Sequence, residues 1–182
     1  MGSADYLRRA VFLDRDGVIN RALVRDGRPY APRDLEEFEL LPGVIKATEA
    51  LHQRKFRLIV ITNQPDVGAG RLRKEVVEAM HLRICQKLPI DDIRVCYHID
   101  EHNCDCRKPK PGLIFTAARD WSISLSDSYM VGDRWRDVDA GRAAGCKTIL
   151  VKNAYNELQP EFADAVVTSF SEASQMIIAG RV

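Results

Sequence analysis

The sequence predicts an α/β fold in which a parallel sheet is covered by helices on both faces. Three observations point there: apolar runs of strand length, helical patterns between them, and polar, chemistry-bearing residues where the runs end. The first run, Ala10-Val11-Phe12-Leu13, has no polar position, as expected of a strand buried on both sides. Pro42-Gly43 then opens a helix with Val44, Ala47, Thr48 and Leu51 on one face. The second run, Leu58-Ile59-Val60-Ile61, is followed by a longer helix from about Leu72 to Leu88, with Val76, Met80, Ile84 and Leu88 spaced four apart. Next comes Ile93-Arg94-Val95-Cys96, and Pro111-Gly112 opens a helix carrying Leu113, Ile114, Ala117, Ala118 and Trp121. Tyr129-Met130-Val131 precedes a short helix from Asp137 to Ala144, capped by Gly145. Thr148-Ile149-Leu150-Val151 and a weaker Ala165-Val166-Val167 complete the series. Asn20 to Leu41 breaks the pattern as a polar loop punctuated by Gly27, Pro29 and Pro32. Since it leaves the first strand, it should overhang that strand's end.

Composition narrows the class. The chain has 182 residues, 46% of them hydrophobic, enough for one domain spanning 1–182 with a real core. With 27 basic and 26 acidic residues the net charge is +1, which gives no drive toward nucleic acid or an anionic membrane. No apolar run has the length of a membrane span or of a secretory leader. Met1-Gly2-Ser3 reads as an expression-tag remnant rather than an acylation signal, because Tyr6 stands where Ser or Thr is required. Five cysteines, three of them in one short segment, suit a reduced, cytoplasmic protein with a metal site. The expectation is a cytoplasmic monomer acting on a small molecule.

The strand ends carry the chemistry. The first run leads into Asp14-Arg15-Asp16-Gly17, two carboxylates that would repel unless a cation lies between them. A hard divalent ion with oxygen ligands, Mg²⁺, resolves the conflict. The second run leads into Thr62-Asn63-Gln64, and the fourth into Gly132-Asp133-Arg134, with Asp137 close behind. Arg107-Lys108-Pro109-Lys110-Pro111 adds a cluster of cations before a helix. Each segment alone is compatible with a turn or a solvated surface. Together, at the ends of successive parallel strands, they describe a phosphate site.

These residues resemble the haloacid dehalogenase (HAD) superfamily, whose four motifs match Asp14-x-Asp16-Gly17, Thr62, Lys108 and Gly132-Asp133. The resemblance implies a Rossmann-like sheet, here with no cap domain, and Mg²⁺-dependent phosphate-ester hydrolysis. Asp14 would be the nucleophile and Asp16 the general acid and base. Asp14, Asp133 and Asp16 would hold Mg²⁺, Asp16 through its backbone carbonyl. Thr62 and Lys108 would stabilise the transferring group, and Asp137 would orient Lys108 or the metal waters.

A second constellation is Cys96-x-His98 with Cys104-x-Cys106, a tetrahedral Zn²⁺ donor set with no position left for water. Such a structural site at about 96–106 would stiffen the loop that delivers Arg107 and Lys108. His102 lies in the same loop with a poorer spacing, while Cys85 and Cys146 read as core thiols. With Cys-Arg-Lys-Pro-Lys-Pro-Gly, the quartet resembles the D-glycero-D-manno-heptose 1,7-bisphosphate phosphatases. Arg107 and Arg134 would then contact substrate, as would Asn63, Gln64 and Tyr30. Histidinol-phosphate phosphatases share most of these residues, and the five residues between His98 and Cys104 resemble their shorter loop. Pro65-Asp66-Val67 also departs from the usual Ser-Gly. The cations Arg107, Lys108, Lys110 and Arg134 favour a phosphosugar with more than one phosphate. A non-catalytic zinc-stabilised binding module is the reading from another class, and a nucleic-acid 3′-phosphatase is a distant one.

Overall fold

The computed structural model describes residues 7–182, so Met1-Gly2-Ser3 and Tyr6 lie outside the described residues. Six parallel strands form one sheet: β1 (Ala10–Leu13), β4 (Arg57–Asn63), β5 (Asp92–Cys96), β6 (Tyr129–Gly132), β7 (Lys147–Val151) and β8 (Ala165–Val167). Their spatial order is β5-β4-β1-β6-β7-β8. Chain order runs outward from β1 in both directions, and such a switch point opens a crevice at the C-terminal strand ends.

All four residues of β1 are fully buried, and the two faces of the sheet take alternate side chains. Val11 and Leu13 pack with Leu58 and Val60 under α1 (Val44–Gln53), α3 (Lys74–Lys87) and α6 (Phe170–Ile178). Ala10 and Phe12 pack with Ile59 and Ile61 under α4 (Gly112–Trp121) and α5 (Trp135–Ala144). Truncating a side chain such as Leu13 in this layer would cost about 2–5 kcal/mol. Gly145 caps α5 in the left-handed conformation, φ 82°. Among the described residues, no helix is long and apolar enough to cross a membrane.

Three sequence expectations are corrected. Residues 20–41 are not loop throughout but contain an antiparallel hairpin, β2 (Leu23–Arg25) and β3 (Arg28–Tyr30). Asp26 and Gly27 at its tip both have positive φ, 50° and 73°, the conformation that an Asp-Gly hairpin turn requires. The buried stripe of α3 is Val77, Met80, His81 and Ile84, which leaves Cys85 exposed; Cys146 is buried. Lys110 turns outward and donates to Asn103 and Asp105. Helix α6 has no counterpart in the sequence reading, although Ser169 caps it by accepting from Glu172 N at 3.2 Å. A short helix α2 (Pro65–Gly68) follows β4.

Candidate active site

The ends of β1, β4 and β6 bring their polar residues to one cleft of about 330 Å³. Asp14 extends β1 by donating its amide to the Val131 carbonyl at 2.9 Å. The loop then turns at Gly17, φ 89°, where a Cβ would lie 2.9 Å from Tyr155 Oη and closer still to the Asp133 carboxylate. Only glycine admits this approach of the loop to the end of β6.

Lys108 is the hub. Its ammonium, almost fully buried, lies 2.6 Å from Asp14 Oδ1 and 2.6 Å from Asp137 Oδ1, and donates to the Ile61 carbonyl at 2.7 Å. Burial alone would lower its pKa, but Asp137 and Asp14 outweigh burial and raise it to about 12. Asn63 fixes the Lys108 backbone from both sides: its amide donates to the Lys108 carbonyl at 3.1 Å, and its Oδ1 accepts from Lys108 N at 3.2 Å. Asp137 Oδ2 accepts from Arg134 N at 3.0 Å, which closes the first turn of α5.

Asp14, Asp133 and Asp137 each offer an oxygen, with all three atoms within 4.8 Å of one another. Burial and its acidic neighbours Asp137 and Asp16 raise the Asp14 pKa to about 6, against the pull of Lys108. Burial, then Asp14 and Asp137, push Asp133 well above the usual carboxylate range. Asp133 Oδ2 accepts from Tyr155 Oη at 2.7 Å, while Oδ1 is buried with no hydrogen-bond partner. Burial and the neighbouring carboxylate keep the Tyr155 phenol protonated, and therefore a donor. An unpartnered carboxylate oxygen among mutually repelling acids is what a hard cation with oxygen ligands would satisfy, so the residues fit Mg²⁺.

Asp16 stands apart from that trio. Its carboxylate accepts from Arg15 Nη2 at 2.9 and 3.0 Å, from Asn20 Nδ2 at 2.9 Å and from Gln64 Nε2 at 2.8 Å. Gln64 also donates to Thr62 Oγ1 at 2.9 Å, linking the ends of β1 and β4. The amides of Asn63 and Gln64 are thus spent on Lys108, Asp16 and Thr62, although both residues border the cleft. Arg15 is completely buried, and its Nη1 donates to His81 Nε2 at 3.2 Å. Burial and the Arg15 charge hold the His81 pKa down to about 4, so the ring is the neutral acceptor this bond needs.

The rim of the cleft is cationic but paired. Arg71 meets Asp66 at 2.6 Å, Arg107 meets Asp100 at 2.5 Å, and Arg134 is bound by Glu157. Tyr30, from β3, lines the same cleft, as do Arg107 and Arg134.

Cys96, His98, Cys104 and Cys106 converge beyond the rim. Their sulfurs lie 3.2, 3.3 and 3.7 Å apart, and His98 Nδ1 lies 3.2 and 3.7 Å from Cys106 and Cys96. Donors about 2.3 Å from a central ion span edges of this order, so the set is compatible with tetrahedral Zn²⁺. His102 stays outside the quartet; its ring packs edge-on to His98 with centroids 5.5 Å apart.

Sequence reasoning missed Arg15, His81, Asn20, Tyr155 and Glu157. One signal was available for the last two. Residues 152–164 leave the C-terminal end of β7, on the same sheet edge as Asp14, and so had to pass the cleft.

The HAD-hydrolase-like family model matches residues 105–173. A D-glycero-beta-D-manno-heptose-1,7-bisphosphate 7-phosphatase of Vibrio cholerae is 40% identical, covering 79% of this chain and 81% of its own. The Escherichia coli enzyme of the same name is 35% identical, over 92% of this chain and 93% of its own. In structure, the D,D-heptose 1,7-bisphosphate phosphatase of B. bronchiseptica, crystallised with magnesium and phosphate, superposes with a TM-score of 0.81 at 28% identity, covering 94% of this chain and 99% of that one. With relatives this similar over most of both chains, the protein belongs to the heptose bisphosphate phosphatase family of HAD-type hydrolases and is a phosphoric monoester hydrolase.

Proposed function

We propose that this chain removes the 7-phosphate from D-glycero-D-manno-heptose 1,7-bisphosphate through an aspartyl-phosphate. The observation that carries the chemistry is the buried Asp14–Lys108–Asp137 contact beside the unpartnered oxygen of Asp133. The substrate is supported by the relatives, which carry that activity in their names.

In this reading an oxygen of Asp14 attacks phosphorus, forming a new P–O bond as the bond to the sugar oxygen breaks. Asp16, which must enter the cycle protonated, gives that oxygen its proton as it leaves. Asp16 then takes a proton from the water that cleaves the aspartyl-phosphate, returning Asp14 and free phosphate. Arg15, Asn20 and Gln64 hold Asp16 from three directions, so its position relative to Asp14 is set before substrate arrives. Lys108 and the Thr62 hydroxyl face the spreading negative charge of the transferring group. Asp14, Asp133 and the Asp16 backbone carbonyl would hold Mg²⁺, which offsets the repulsion between carboxylates and phosphate. Asp137 serves Lys108, which it contacts directly. Asn63 acts by seating the Lys108 backbone, while Arg107, Arg134 and Tyr30 face the sugar and its second phosphate. Zn²⁺ at Cys96, His98, Cys104 and Cys106 stiffens the loop carrying Arg107 and Lys108. This reading takes the chain as a single domain working as a monomer.

The test is a side-by-side kcat/KM measurement on the α- and β-heptose bisphosphates and on histidinol phosphate, with Asp14→Asn as control. Preference for a heptose bisphosphate, and loss of phosphate release on the order of 10⁴-fold or more in Asp14→Asn, is expected. Faster turnover of histidinol phosphate would overturn the substrate assignment. An active Asp14→Asn would overturn the mechanism.

A further inference from the structure

Two arginines from different elements meet on a single carboxylate oxygen at the rim. Arg107 Nε lies 2.5 Å from Asp100 Oδ1, and Arg136 Nη1 lies 3.8 Å from the same atom. Both arginines are positioned from elsewhere. Arg107 Nη1 donates to the His98 carbonyl at 3.3 Å, and the Arg136 guanidinium stacks 4.7 Å above the Trp135 ring. Asp100 is the opposite case. Its side chain is 63% exposed, and among the described residues its carboxylate pairs with these two arginines alone. All three residues line the cleft that holds Asp14 and Lys108.

An exposed ion pair is weak, because water competes for both partners. A phosphate dianion brings more charge and more acceptor oxygens to the same two guanidinium groups. We propose that Arg107 and Arg136 form a two-armed clamp for a second, non-reacting phosphate of the substrate, and that Asp100 fills the clamp as an internal anion until that phosphate displaces it. Asp100 thereby sets a threshold: an anion that binds the arginines no better than a carboxylate gains nothing by entering. The proposal rests on the reading of the site as a sugar bisphosphate phosphatase, and it adds Arg136 and Asp100 to the groups that select the substrate.

The test compares wild type, Arg136→Gln and Asp100→Asn on heptose 1,7-bisphosphate and on heptose 7-phosphate, which lacks the second phosphate. Arg136→Gln is expected to raise KM for the bisphosphate about tenfold more than KM for the monophosphate, with kcat moving less. Asp100→Asn is expected to lower the bisphosphate KM and to spare the monophosphate that gain. A wild-type ratio of the two KM values in both variants, with the wild type still cleaving the bisphosphate, overturns the clamp and leaves the proposed function standing. A wild type that cleaves other phosphate esters through Asp14 but not the bisphosphate overturns both. Should Arg136→Gln fold poorly, Asp100→Asn decides alone, since this side chain is 63% exposed and, among the described residues, its carboxylate pairs only with these two arginines.

Discussion

Arg107 and Lys108 are consecutive in the chain, yet they belong to different worlds. The Lys108 side chain is 3% exposed and sits between two buried aspartates at 2.6 Å each. Arg107 pairs with a carboxylate that is 63% exposed. One ion cluster is closed to water and fixed by the sheet; the other joins a mostly buried arginine, 14% exposed, to an exposed carboxylate. On the proposed reading this is a division of labour: groups that would touch the reacting phosphate are held by buried contacts, and those that would face the rest of the substrate by pairs a ligand could replace.

The comparison is most severely tested at Lys108. Lys108→Met removes the counter-charge from Asp14 and Asp137 while keeping the volume. Unpaired buried charges should cost about 3–5 kcal/mol of stability, and kcat should fall on the order of 10²–10³-fold. Urea unfolding together with kinetics checks both; an unchanged midpoint would show that the cluster is as exchangeable as the rim.

Next in size is the Cys/His quartet. Chelating the proposed Zn²⁺, or making Cys104→Ser, should raise amide hydrogen exchange over residues 96–108 and lower activity on the order of 10²-fold, because Lys108 would lose its placement. Mg²⁺ alone should not restore it. Full activity in zinc-free protein would show that Lys108 is seated by Asn63 and the sheet alone.

A smaller effect is expected at Tyr155. Tyr155→Phe deletes the donor to Asp133 Oδ2 and should weaken Mg²⁺ binding about tenfold, read by calorimetry. Equal affinity in the variant would mean that the Asn153 amide, 3.4 Å from the same oxygen, suffices to aim Asp133. Smallest is Arg71→Gln, which breaks the exposed pair with Asp66 and should change stability by less than about 1 kcal/mol. A loss well beyond that would place Arg71 with the buried cluster around Lys108.

The fold was legible wherever burial was uniform. Ala10-Val11-Phe12-Leu13 is buried throughout, so its composition alone identifies a central strand. Reading failed where the stripe was ambiguous. On α3 the four-residue spacing found Met80, Ile84 and Leu88, which are in the core, but Val76 is only partly buried while Val77 and His81 are buried, and Cys85 is exposed. The Asp26-Gly27 turn and the Ser169-x-x-Glu172 cap were local signals passed over. The placement of Asp14, Thr62, Lys108 and Asp133 at one sheet edge followed from strand order. Their partners did not: Arg15 with His81, and Asp133 with Tyr155, are separated by 66 and 22 positions, and nothing local announces them.

The connection from β7 to β8 has a consequence for how this enzyme can be altered. Three successive residues there serve three parts of the molecule: Tyr155 holds Asp133, Asn156 N donates to the Gly27 carbonyl at the hairpin tip, and Glu157 binds Arg134. On the proposed reading, metal affinity, hairpin position and rim charge are therefore coupled. Swapping residues 152–164 as one block between relatives should transfer all three properties, whereas point changes within it will disturb them jointly and look, in a mutational screen, like a single trait.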